Sequence, residues 1–185
     1  DLVAFAEQSN IPISATILGK SVISERHPLY VGLYEGEMGN PEVTRFVEES
    51  DLILMLGTFL TDINLGIFSA NLDPNKCILV TSEELRISHH HYHDVPLQQF
   101  LLGLRDAKPK ASHREIPESL RKNQRRKTDV QLEPEAPLRT SRMMAILNQF
   151  LDENTIVIAD VGDSLFAATE LLISDRGEFL SPAYY

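Results

Sequence analysis

Three places in this sequence carry residue types that could do chemistry. The densest is His89-His90-His91-Tyr92-His93. Imidazole is a good ligand for zinc, nickel and copper, and on a strand the alternation of side chains would put His89, His91 and His93 on one face. A specific metal site also needs enforced geometry and partners that fix each ring, which a short stretch cannot supply alone. The cluster is therefore read as structural or adventitious, and no metal ligand is assigned. The other two places are turns, Gly57-Thr58 after the apolar run Leu52-Ile53-Leu54-Met55-Leu56, and Asp160-Val161-Gly162-Asp163-Ser164 after Thr155-Ile156-Val157-Ile158-Ala159. Ligands in open α/β sheets bind beyond the carboxyl ends of strands, where helix N-termini offer free N–H groups. Neither turn has the dinucleotide spacing G-x-G-x-x-G or the phosphate-loop spacing G-x-x-x-x-G-K-[ST], so each reads on its own as a tight turn. No G-x-S-x-G elbow marks a nucleophilic serine. Cys77 is the only cysteine, which excludes an intrachain disulfide and a multi-cysteine zinc site. It reads as a small core hydrophobe. His27 and His113 have no partner evident in the sequence.

The elements that would position these residues alternate. A helix through Glu7 leads to extended Ile11–Thr16, then to a glycine-rich connection through Gly32, Gly36 and Gly39. Asn40-Pro41-Glu42-Val43 starts a helix well, with a capping Asn, Pro at the first helical position and acid in the first turn. That helix shows Val43, Phe46 and Val47 on one face and ends near Glu49. The runs Asp51 to Gly57 and Cys77 to Val80 fit strands buried on both faces, adjacent or nearly so in a parallel sheet, and Leu85-Arg86-Ile87 fits a third nearer an edge. Pro96 to Leu104 reads as a helix. Residues 1–106 are therefore expected to form an α/β layer, Rossmann-like, with a parallel sheet and flanking helices.

Residues 107–137 hold Pro109, Pro117, Pro134 and Pro137 among dense charges, and read as an interdomain linker with one short helix near Glu118 to Gln124. Its basic group, Arg121 to Lys127, has no interleaved aromatics and reads as a solvated linker rather than a nucleic-acid patch. Residues 138–185 begin a second, truncated α/β unit. Thr140 or Ser141 is placed to cap a helix with Met144, Leu147, Phe150 and Leu151 on its apolar face. Thr155 to Ala159 reads as a buried strand, Leu165 to about Ile173 as a helix, and Glu178-Phe179-Leu180 as strand-like.

The 185 residues have a formal net charge of −10, which argues against nucleic acid as a partner, although nine of the 17 Lys and Arg lie between Arg105 and Lys127. No apolar run approaches the roughly 20 residues needed to span a bilayer, and no signal peptide opens the chain, so a cytoplasmic location and no membrane partner are expected. Helical spacing already at Asp1-Leu2-Val3-Ala4-Phe5, with no initiator Met, and an end just after the strand-like Glu178-Phe179-Leu180 make both termini read as cuts through a larger polypeptide.

Several segments, specific in combination, resemble the pyruvate, indolepyruvate and phenylpyruvate decarboxylases, which are thiamine-diphosphate-dependent 2-oxo acid decarboxylases. They are Ile11-Pro12 with Gly19-Lys20, Glu25-Arg26-His27-Pro28, Tyr30-Val31-Gly32-Leu33-Tyr34-Glu35-Gly36, Val47 to Gly57 and Leu60-Thr61-Asp62. On that resemblance residues 1–106 are the family's central domain without its first strand. Residues 138–185 are similar to the opening of its diphosphate-binding domain, with Ile158 to Phe166 as first strand and turn. The resemblance implies thiamine diphosphate and Mg²⁺ as cofactors, a small 2-oxo acid as substrate, an aldehyde and CO₂ as products, and a homodimeric or homotetrameric parent. It assigns cofactor contact to Gly162, Asp163 and Ser164 alone. Many relatives have Thr-Gly-Thr where this chain has Val161-Gly162-Asp163. The activating Glu and a His pair would come from an N-terminal domain, and the metal-binding Gly-Asp-Gly motif would lie past Tyr185, so no catalytic residue is assigned and the chain alone is expected to be inactive. The competing readings are an acetolactate-synthase-like or oxalyl-CoA-decarboxylase-like enzyme with a nucleotide-binding central domain, and a non-catalytic Rossmann-like scaffold module.

Overall fold

Local signals fix the first elements. The helix Leu2–Ser9 (α1) closes at Asn10, which takes the left-handed conformation (φ 48°) that asparagine tolerates well. Strand Ile13–Ala15 (β1) follows, then a 3-10 turn at Ile17–Gly19 whose capping Thr16 hydroxyl accepts the Gly19 N–H at 3.2 Å. Strand Tyr30–Leu33 (β2) pairs parallel to β1. Asn40 caps helix Pro41–Glu48 (α2) as the sequence predicts, its Oδ1 accepting the Glu42 N–H at 2.9 Å, and Val43 and Phe46 are buried. The computed structural model describes residues 1–124, 135–174 and 176–182.

Strands Ile53–Leu56 (β3) and Cys77–Val80 (β4) are parallel neighbours, in register from Ile53 opposite Cys77 to Leu56 opposite Val80. Strands Glu84–Ile87 (β5) and His90–His93 (β6) extend that sheet antiparallel, in the order β3-β4-β5-β6. Helix Leu97–Ala107 (α3) follows. Helix Glu118–Gln124 (α4) occupies the place expected for it. The second unit holds Thr140–Leu147 (α5), Ile156–Ile158 (β7), Asp163–Ala168 (α6) and Glu178–Leu180 (β8), with β7 and β8 parallel. The architecture is α/β, with parallel pairs in each described sheet and flanking helices, as expected.

Several elements differ from what the sequence predicts. The sheet is not parallel throughout, because β5 and β6 are joined by tight turns and a tight turn can only reverse a strand. Leu85 to Ile87 consequently lies inside the sheet, and β6 forms the edge. β3 lies at the other end of that order, and Leu52 beside it is 56% exposed, so its apolar run is not covered on both faces. β7 is also half bare, with Ile158 76% exposed, because its one strand partner among the described residues is β8. The N-cap of α5 is Arg139, not Thr140 or Ser141, and Phe150 lies beyond the helix and exposed. α6 is shorter than expected and ends at Ala168. Cys77 is half-buried rather than a core residue.

The segment between the two units is partly docked. Leu120 (1% exposed) and Ile116 join Val31, Val43 and Phe46 in one apolar cluster. Arg114 stacks on Phe46, 4.2 Å from the ring centroid, and donates to the Phe46 carbonyl at 2.7 Å and the Ser50 hydroxyl at 3.0 Å. Burying a Leu or Ile side chain contributes roughly 1.5–3 kcal/mol, so this contact is a firm one. Of the basic group, Arg121 is exposed, and Arg125, Arg126 and Lys127 lie outside the described residues. Among the described residues no helix is long and apolar enough to cross a membrane.

Candidate functional site

The turn assigned to cofactor contact follows β7 directly. Gly162 has φ 94°, a conformation that L side chains rarely adopt, and a Cβ built there would meet nothing within 4 Å. The outer face of the turn is thus open backbone, and the first N–H groups of α6 have no acceptor within the helix. That arrangement suits an anionic oxygen. The side chains suit it less well. The Asp160 carboxylate accepts the Val161 N–H at 2.8 Å, the Ser164 hydroxyl donates to the Asp160 carbonyl at 2.8 Å, and Asp163 puts a negative charge in the first turn. No group of three His, Cys, Asp or Glu among the described residues is gathered to hold a metal. The turn therefore fits a phosphate oxygen through its backbone, and supplies no metal ligand set.

The histidine segment is the exposed edge strand β6 with its preceding turn. His89 lies outside the strand, so it does not share the face that His91 and His93 do. Glu84 stands directly opposite His93, and the His91 Nδ1 is 2.9 Å from the Glu84 carboxylate. That hydrogen bond holds the Glu84 carboxyl below its usual range. His27, which has no partner evident in sequence, lies 3.1 Å from the Glu7 carboxylate through Nε2 and accepts the Leu29 N–H through Nδ1 at 3.2 Å.

A third cluster escaped the sequence reading as chemistry. Ile17, 1% exposed, belongs to one apolar cluster with Met144, Leu165, Leu171, Ile173 and Phe179 of the second unit. Beside it the Lys20 side chain, wholly buried, pairs with the Glu25 carboxylate (8% exposed), and its Nζ lies 5.7 Å from the Phe179 ring centroid. Two backbone bonds finish the joint. The Glu25 N–H donates to the Ile173 carbonyl at 3.0 Å, and the Phe179 N–H donates to the Ser21 hydroxyl at 3.0 Å. Burial raises the Glu25 carboxyl more than Lys20 lowers it. A cleft of about 610 Å³ opens next to this joint, between the β2 region and the second unit. Glu35 faces it, and burial pushes its carboxyl up to about 7, with Lys20 opposing the rise only in part. Lys20, Glu25 and Glu35 occur in the sequence as parts of turn-rich segments. Their five- and ten-residue separations are a signal only once burial is known.

The fold is α/β, with parallel strand pairs and flanking helices, and comparison with known proteins narrows it. The chain belongs to the thiamine pyrophosphate enzymes, since the family described as the thiamine pyrophosphate enzyme central domain matches residues 1–102. It is 30% identical to a pyruvate decarboxylase of Candida glabrata over 166 residues, which is 89% of this chain and 29% of that protein. It is 31% identical to pyruvate decarboxylase isozyme 2 of Saccharomyces cerevisiae over 164 residues, 88% of this chain and 28% of that protein. With the indole-3-pyruvate decarboxylase of Azospirillum brasilense it is 30% identical over 187 residues, 97% of this chain and 32% of that protein. The chain thus spans about three tenths of the length of these relatives.

Proposed function

We propose that the 185 residues are the central domain and the opening of the diphosphate-binding domain of a thiamine-diphosphate-dependent decarboxylase that converts a small 2-oxo acid to an aldehyde and CO₂. The observation that carries this reading is the reach of the likeness: 97% of the chain, across both α/β units, aligns with the indole-3-pyruvate decarboxylase. Thiamine diphosphate, when bound with Mg²⁺, supplies the electron sink for loss of CO₂. In this reading the backbone N–H groups at Gly162, Asp163 and Ser164 orient the diphosphate, and the open face over Gly162 gives it room. The remaining ligands come from other parts of the parent, which assembles as a homodimer or homotetramer. A further strand belongs between the two parallel pairs of residues 1–106. In support, β1–β2 and β3–β4 do not join, and an apolar cleft of about 500 Å³ lined by Ala15, Ile53 and Met55 lies between them.

Two measurements test the reading. The intact parent, given the cofactor and Mg²⁺, is expected to release CO₂ from pyruvate, indolepyruvate or phenylpyruvate, and no release from any of them overturns the assignment. Calorimetry of the 185-residue chain with cofactor and Mg²⁺ is expected to show no micromolar binding. One exposed helix N-terminus contributes about 0.3–1 kcal/mol, whereas micromolar affinity needs about 8 kcal/mol. Tight binding by the chain alone would mean that its own residues complete the site.

A further inference from the structure

The Glu35 carboxylate lines the cleft at the seam between the two units, and among the described residues no side chain is hydrogen-bonded or ion-paired to it. Its backbone is fixed by close approach. A Cβ on Gly66 would fall 2.0 Å from the Glu35 carbonyl oxygen, so that turn admits only glycine there. The side chain folds over Gly39, where a Cβ would lie 3.0 Å from the Glu35 Cβ and 3.2 Å from its Oε2. The half-buried Glu35 side chain lines the cleft of about 610 Å³.

Every titratable or charged group facing it can be named. The segment before β2 contributes Lys20 and Glu25, β2 itself contributes Tyr30, and the segment after α6 contributes Glu170. From α2, α4 and α5 the cleft receives Val43, Leu120, Ala145 and Asn148, none of which titrates. Lys20 is the one cation in this group, and it is already paired with Glu25. The Glu35 carbonyl accepts the Met38 N–H at 3.1 Å, but its carboxylate makes no hydrogen bond among the described residues, and the influences that shift it are burial and the Lys20 charge. Two carboxylates, Glu25 and Glu35, therefore share the Lys20 ammonium. An ionised carboxylate in such a place is relieved by taking a proton or by admitting water.

We propose that Glu35 is a proton-operated latch on the cleft between the two α/β units: protonated, it lets the turn around residues 34–39 and the segment 166–172 close over the cleft, and ionised, it opens them to water. The sign follows from the direction of its shift. A carboxyl raised in the folded state contributes stability that is fully present at low pH and lost as pH climbs through its folded value, here about 7. The device thus works in the neutral range, where an ordinary glutamate is always ionised. The second unit carries the Gly162 turn, so proton uptake at Glu35 sets how firmly that turn is held against residues 1–106.

Hydrogen exchange of the 185-residue chain, corrected for the intrinsic pH dependence of amide exchange, tests this at about pH 5.5 and about pH 8.5, on either side of the Glu35 value. Amides of residues 34–39 and 166–172 are expected to lose about thirtyfold protection at the higher pH, since the carboxyl is raised from 4.5 to about 7 and the part of that shift above about pH 5.5 acts across this interval. Glu35→Gln, of the same shape and never charged, is expected to keep the protection at both pH values, and Glu153→Gln, on an exposed turn, to behave as the unaltered chain. Equal protection of the unaltered chain at both pH values, or the same loss in Glu35→Gln, overturns the proposal. Carboxyl ¹³C titration of the unaltered chain gives a readout that needs no variant to fold. Its expected result is one glutamate titrating near neutral pH together with the protection change. A protection change whose midpoint matches no carboxyl would overturn the latch equally.

Discussion

Lys20→Met is the sharpest single perturbation of the joint between the units. Methionine keeps an unbranched stem in the same pocket and deletes the charge, leaving the Glu25 carboxylate, 8% exposed, without its counter-ion. Removing one partner of a buried ion pair costs about 3–5 kcal/mol, because the remaining charge keeps its desolvation penalty and loses its compensation. For a chain of this length each kcal/mol lowers Tm by about 2–4 °C, so the expected fall is about 6–20 °C. Loss of the Lys20 contact to the Phe179 ring adds about 0.5–2 kcal/mol at most. The double variant Lys20→Met/Glu25→Gln is expected to recover most of the loss, since replacing both members of a buried pair is often nearly neutral. The sign with pH is also fixed. Burial raises the Glu25 carboxyl already, and losing Lys20 raises it further, so the penalty is full at high pH and shrinks as pH falls and Glu25 takes a proton. Urea unfolding at about pH 8 and about pH 5 measures all of this, the slope m reporting whether the folded state stays compact. A Lys20→Met midpoint equal to that of the unaltered chain at the higher pH would refute the reasoning, and so would a double variant no more stable than the single one.

Ile17→Ala empties a fully buried position where the first unit enters the core of the second, and is expected to cost about 2–5 kcal/mol, read as a lower urea midpoint. A loss below about 1 kcal/mol would mean that the units are not joined through this residue. Gly66→Ala places a Cβ 2.0 Å from the Glu35 carbonyl at φ 57° and is expected to abolish cooperative folding, so an unchanged thermal transition would contradict the turn geometry. Stoichiometric zinc or nickel is expected to raise Tm by no more than about one or two degrees, because His91 is already engaged with Glu84 and tight binding to the folded state alone would add a few kcal/mol. A larger rise abolished by His89→Ala and His91→Ala would establish a metal site on β6.

Elements under local chemical control are legible from residue order alone. Asn40-Pro41-Glu42 specifies a helix start through one side-chain acceptor and a preset φ, and the structure has it at that residue. The apolar runs at Ile53–Leu56 and Cys77–Val80 specify strands, and they pair in parallel register. The resembling segments were sufficient to identify the family, since they are contiguous stretches that need no fold to be compared. What the sequence could not determine is which face of an element meets another. Leu52, Phe150 and Ile158 are as apolar as Val80 and Leu120, yet the first three are exposed and the last two are buried, because burial depends on neighbours distant in the chain. For the same reason Lys20, Glu25 and Glu35 read as ordinary turn residues until the second unit closes over them. Desolvation is set by the sum of the surrounding atoms and not by residue type or spacing, and only the tertiary structure supplies that sum.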